Sequence, residues 1–174
     1  MQNKLLFFGM IFILVGLTVV HFSLQPEVGT SQTGDSDYIY SDDPAMQAAY
    51  DKAREQLDYF LKTARSKPEG TQGFSVRIGV QEDGITEFFW IFPFEQYEGE
   101  FAGRVSSDPK QVSSVFKGEV IRFSRGQIID WTFDDKKTNV MHGNYTGCVE
   151  LQQAAPEYAA QFMELYGLDC TKLN

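Results

Sequence analysis

The sequence predicts an α+β domain: an antiparallel meander sheet with one helix before it and one after it, preceded by a single transmembrane or signal helix. Three observations lead there. An apolar run of bilayer length opens the chain. A stretch of helical period begins near residue 44, and short segments of period two, separated by turn residues, follow it. A second stretch of helical period closes the chain.

From Leu5 to Leu24 there are twenty residues without Asp, Glu, Lys or Arg. As a helix they rise roughly 30 Å, the depth of a bilayer's hydrocarbon core. A core helix would keep a polar face, and this segment has none. Lys4 precedes it, and no Lys or Arg follows until Lys52. Retention of positive charge in the cytoplasm then exports the remainder, which places the chain in the inner membrane with its C-terminal domain in the periplasm. The length suits an uncleaved signal anchor. A cleaved signal peptide is the alternative, for which Val28-Gly29-Thr30 makes a poor site. Residues 1–24 are thus read as anchor or signal peptide, 25–43 as a flexible linker and 44–174 as the α+β domain. The linker is rich in Gly, Ser, Thr and Asp, with Val28, Tyr38, Ile39 and Tyr40 its apolar residues.

Asp43 is suited to cap a helix and Pro44 to open it. Met46, Tyr50, Ala53, Leu57, Phe60 and Ala64 recur at steps of three and four, so one helix is expected as far as Pro68-Glu69-Gly70. Phe74, Val76, Ile78 and Val80 alternate with Ser75, Arg77 and Gly79, a half-buried strand ended by Glu82-Asp83-Gly84. Ile85 to Phe94 is an aromatic strand, with Pro93 at its end or on a bulge. Gly99–Val105 is a third strand. Asp108-Pro109 opens a short helical turn carrying Val112, Val115 and Phe116. Val120–Phe123 and Gln127–Phe133 are strands four and five, followed by a polar turn at Asp134–Lys137. Tyr145–Leu151 is read as the last strand and Pro156–Tyr166 as the closing helix. Short connections favour neighbouring antiparallel strands, hence the meander.

The net charge is −9, and Lys4 is the only charged residue in the first 24, so the exported part is more acidic still. That argues against nucleic acid as a partner and against anionic headgroups as a resting surface. Two cysteines, Cys148 and Cys170, lie near the C-terminus. In an oxidising compartment they form a disulfide; two buried free thiols are the alternative. No motif calls for a cofactor, and no Cys/His spacing suits a metal.

Three residues are weak catalytic candidates. Asp130 beside Trp131 in a strand points to the opposite face from it. Either it is a desolvated carboxylate suited to proton transfer, or it bonds backbone amides at a turn while Trp131 fills the core. Glu87, among Phe88, Phe89 and Trp90, either joins Asp130 as a carboxylate pair or guards an edge strand. His142 is the only histidine outside the apolar run, a base or an exposed turn residue. Trp90 and Trp131 lie in the most apolar strand segments and are expected in the core.

Several short elements occur in one order: Glu87-x-x-Trp90, Phe101-x-Gly103-x-Val105, Gly118-x-x-Ile121-x-Phe123, Ile129-Asp130-Trp131 and Gly143-Asn144-Tyr145-Thr146. In these the chain from Ala45 to Leu151 resembles the bacterial YegJ-like family, a domain of unknown function (number 2314). The resemblance implies a fold unit and small exported proteins, and it brings no catalytic residues. The expectation is a membrane-tethered binding module of the cell envelope, with a protein or envelope partner. The alternatives are an envelope immunity or inhibitor protein, whose acidity suits a basic toxin, and a hydrolase using Glu87, Asp130 and His142.

Overall fold

A computed structural model describes residues 43–173. The segment read as anchor or signal peptide and nearly all of the linker lie outside the described residues. Among the described residues no helix is long and apolar enough to cross a membrane.

Asp43 caps the first helix: its side chain accepts the Ala45 N–H at 2.9 Å, and Pro44 follows at the first helical position. The expected single helix is two, α1 (Pro44–Glu55) and α2 (Leu57–Ser66). Gln56, at φ −95° and ψ 0°, breaks them with neither Gly nor Pro to announce it. Ala53, Leu57, Phe60 and Leu61 still form the buried stripe. α2 ends at Lys67 in the left-handed region.

The strands are β1 (Thr71–Glu82), β2 (Ile85–Tyr97), β3 (Glu100–Val105), β4 (Val120–Ser124), β5 (Ile128–Asp135) and β6 (Val140–Gly143). All neighbours are antiparallel, in the order β4-β3-β2-β1-β5-β6. The meander holds only for β1 to β4. β5 crosses back to the free side of β1 and makes β1 a central strand. Burial explains the return. Ile128 to Trp131 are all buried, whereas a fifth meander strand would stand at the edge beside β4. Pro93 lies within a bulge of β2.

One sheet face carries the core. Val76, Ile78, Phe89, Ile91, Phe101, Trp131 and Phe133 meet Phe60 and Leu61 of α2. Phe60 stacks on Trp131 with centroids 4.9 Å apart, and the Trp131 indole N–H donates to the Ala53 carbonyl at 2.9 Å.

Three other expectations are corrected. Residues 106–119 form an irregular loop, not a helical turn, although Val112 and Val115 do enter the core. Tyr145–Leu151 is not a strand: α3 (Tyr145–Gln152) occupies it, and the sixth strand is the short β6 just before. Trp90 is half-buried on the face opposite the core, while Trp131 is core as expected. α4 (Pro156–Tyr166) is the expected closing helix. Cys148 and Cys170 are bonded, which ties α3 to the C-terminal turn (Cys170–Leu173) rather than a strand to a helix. Just before that turn, Leu168 bridges Met141 of β6.

Candidate functional site

Register assembles the most polar part of the interior. Arg77 of β1 pairs with Asp130 of β5 on one side and with Trp90 of β2 on the other. Directly paired residues share a face, so the three form one row on the side opposite the core. Asp130 has no exposed surface. Its Oδ1 accepts the Trp131 N–H at 2.8 Å, and its Oδ2 accepts the Thr146 N–H at 2.8 Å and the Thr146 hydroxyl at 2.6 Å. Arg77 donates to the same hydroxyl oxygen at 2.8 Å and pairs with Glu150, one turn further along α3, at 2.8 Å. Its guanidinium lies 5.6 Å from the Phe88 ring and 5.9 Å from the Trp90 ring, within cation–π range. Arg77 Nε is buried and makes no hydrogen bond.

Burial pushes the Asp130 carboxyl up to about 6, against the pull of Thr146, Trp131 and Arg77. Both readings of Asp130 thus hold in part. It is desolvated, and it is also consumed by backbone amides, though inside a strand and not at a turn. Burial and the Asp130 charge raise the neighbouring Tyr145 hydroxyl to about 12.

Glu87 is elsewhere. β2 is an interior strand, so Glu87 guards no edge. Its carboxylate accepts the N–H groups of Lys110, Gln111 and Val112 at 2.8–3.1 Å. Burial raises this carboxyl, but the three amides and Lys110 pull harder and hold it below the usual range. Glu82 does the same for Ser113 and Ser114, and their hydrogen bonds, led by the Ser113 hydroxyl, lower it to about 2. Two carboxylates from β1 and β2 therefore shape the 106–119 loop.

His142 is not an exposed turn residue. It sits in β6, half-buried, with its ring stacked 4.6 Å from Phe133. It borders a cleft of about 470 Å³ with Lys52, Gln56, Tyr59, Tyr145 and Asp169. Glu87 and Asp130 do not line this cleft. The three catalytic candidates are thus not brought together. Among the described residues no cluster of His, Cys, Asp and Glu has the makeup of a metal site.

The residues that sequence reasoning missed are Arg77 and Thr146. An arginine in the middle of an apolar alternation was the available signal, because a buried guanidinium needs an anion. Thr146 stayed hidden because its segment carries strand-forming residues. The motifs Ile129-Asp130-Trp131 and Gly143-Asn144-Tyr145-Thr146 are packed against each other. Asp130 holds Thr146, the Trp131 carbonyl accepts the Asn144 N–H at 2.8 Å, and Tyr145 meets the Trp131 ring edge-on. Gly143 has φ +77°, and a Cβ there would stand 2.1 Å from the Trp131 oxygen.

Fold and site define an α+β domain with one open antiparallel sheet, locked by a buried carboxylate whose partners come from strand and helix. Residues 43–170 match the family described as "Uncharacterized protein conserved in bacteria (DUF2314)", and the chain belongs to that family. The match includes α4 and Cys170, beyond the span 45–151 that the short motifs cover. The chain is 30% identical over 105 residues to the "Uncharacterized protein YegJ" of Escherichia coli (strain K12). That alignment covers 60% of this chain and 66% of the relative, just under two thirds of its length. No solved structure matches.

Proposed function

We propose that this protein is a membrane-tethered, exported binding module of the cell envelope, anchored through Leu5–Leu24 with its domain in the periplasm. The observation that carries the reading is the use made of its carboxylates. Glu82, Glu87 and Asp130 are all spent on backbone amides, while the open clefts are walled by aromatic rings and mixed charge. Such surfaces suit recognition of a protein or an envelope polymer. The Cys148–Cys170 bond supports export, since such bonds persist in oxidising compartments. The net charge of −9 favours one second reading, an immunity or inhibitor protein that covers a basic partner. The separation of Glu87, Asp130 and His142 gives a hydrolase no support.

A reporter enzyme that works only outside the cytoplasm, fused after Asn174, tests the location. Activity is expected, and an inactive fusion alongside an active cytoplasmic reporter overturns the orientation. Crosslinking of the full chain in intact membranes, followed by capture, then reads out the partner.

A further inference from the structure

The cleft beside His142 has walls that are fixed before any ligand arrives. Lys52, Gln56 and Tyr59 follow one another at steps of four and three across the α1–α2 break and line one part of it. His142, Tyr145 and Asp169 line the rest, with the nearly buried Trp131 at the floor. Tyr59 is 50% exposed, yet its ring is held 6.5 Å from that of Trp131 and 6.3 Å from that of Phe133. Tyr145 is set edge-on to Trp131 at 5.7 Å. Asp169 stands between Leu168, bridged to Met141, and Cys170, bonded to Cys148. Its Oδ1 accepts the Thr171 N–H at 3.1 Å and the Thr171 hydroxyl at 2.6 Å. Groups already placed in this way lose little freedom on binding.

Charge and hydrogen-bonding capacity select the ligand. Lys52 is paired with Glu55 at 3.2 Å, Asp169 lies in the wall, and Asp135 is within electrostatic reach of His142. An anionic ligand gains no net attraction from this set, and an organic cation meets Lys52. A neutral ligand is left. The Lys52 ammonium donates, the Asp169 carboxylate accepts, and the Gln56 amide and the two tyrosine hydroxyls do both. A wholly apolar ligand would bury these groups without partners. A peptide adding to the sheet finds the middle of β6 covered, since the Met141 N–H donates to the Gly167 carbonyl at 3.0 Å and Leu168 bridges Met141. A pyranose sugar suits what remains: its hydroxyls both donate and accept, and its C–H face packs on an aromatic ring. The volume, about 470 Å³, is that of a small-ligand site and admits a short saccharide.

We propose that this cleft binds a short segment of a neutral glycan, with the C–H face of one sugar on Tyr59 and its hydroxyls shared among Lys52, Gln56, Tyr145 and Asp169. This deepens the binding role proposed above and rests on it, naming a glycan as the envelope polymer. The test is saturation-transfer NMR on the full chain in a polyoxyethylene detergent, which has no sugar headgroup. The probes are N,N′-diacetylchitobiose and cellobiose, neutral disaccharides with and without acetamido groups. Saturation of the protein's aromatic protons is expected to reach the ring C–H protons of at least one of them. Tyr59→Ala and Gln56→Ala are each expected to weaken that binding roughly tenfold. Gln56→Ala favours the helix, so it reports on the site even where Tyr59→Ala lowers stability. Tyr97→Ala, on β2 and outside the cleft, is expected to change nothing. No transfer to either sugar overturns the site, and so does transfer that survives both cleft variants. Transfer to tetra-alanine in place of the sugars overturns the glycan while upholding a binding module. The export reporter described above succeeds or fails independently, so loss of the envelope location and loss of the glycan site are told apart.

Discussion

Asp130 Oδ2 accepts both the backbone N–H and the hydroxyl of Thr146, so a single oxygen fastens β5 to the first turn of α3. The Thr146 hydroxyl in turn accepts from Arg77 of β1. Three elements depend on one carboxylate. Asp130→Ala strips a buried anion from a part-buried cation and leaves three donors unmet, the Trp131 and Thr146 N–H groups and the Thr146 hydroxyl, a cost of about 3–5 kcal/mol. Urea unfolding midpoints measure the loss. A midpoint within error of the parent chain would show that the lock contributes nothing.

The same carboxylate makes stability depend on pH. Its folded value, about 6, lies above the ordinary 3.8. The folded state therefore binds the proton more tightly, and the stability this contributes is full below pH 3.8 and lost as pH rises through about 6. Between those limits the slope is at most about 1.4 kcal/mol per pH unit. Thermal melts are expected to improve from pH 7 to pH 5, and Asp130→Asn is expected to flatten that trend.

The two tryptophans should separate in a stability experiment. Trp131 is buried, stacked on Phe60 and bonded to Ala53, so Trp131→Ala should cost about 3–5 kcal/mol. Trp90 is half-buried over Arg77, and Trp90→Ala should cost about 1–2 kcal/mol. Equal losses would contradict the placement of Trp90.

Glu82 and Glu87 order the 106–119 loop through its amides. Replacing both with Gln should raise hydrogen exchange at Lys110 to Ser114 while leaving the core strands protected. The sign with pH is opposite to that of Asp130. Both folded values are depressed, so the loop is held above the ordinary 4.5, and the Glu82 clasp is lost as pH falls through about 2. Amide exchange followed between pH 6 and pH 2 checks this.

Reduction of Cys148–Cys170 frees the C-terminal turn from α3. The bond closes a loop across 22 positions, worth roughly 3 kcal/mol. A reductant should lower the melting temperature, and intact-mass measurement without reductant should find no thiol open to alkylation. Two alkylatable thiols in exported protein would remove the bond.

Local patterns were legible, and distant ones were not. The alternation of Phe74 to Val80 is a strand, and Pro156 to Tyr166 is the helix its spacing promises. The 106–119 loop imitates a helix start with Asp108-Pro109, but carboxylates more than twenty residues upstream decide its path. Tyr145, Thr146 and Val149 favour strands by type, yet Asp130 accepts from the start of that segment, which is helical. β6 has only four residues, all half-buried, and no alternation to betray it. The site follows the same rule: Asp130 is conspicuous in sequence, but Arg77 and Thr146 become its partners only through the return of β5.

That return also governs timing. β1 is made early, yet its second neighbour comes with β5, and Arg77 finds Thr146 across 69 residues. Closures this long are slow, because the chain surrenders loop entropy before any contact repays it. A nascent chain that stops short of β5 has an open central strand, and one that stops short of α3 leaves Arg77 without Thr146 and Glu150, so it lacks the means to collapse into the final form. For a domain proposed to cross a membrane, the delay keeps the polypeptide threadable until α3 has followed, and the sheet then shuts on the side where its two cysteines can join.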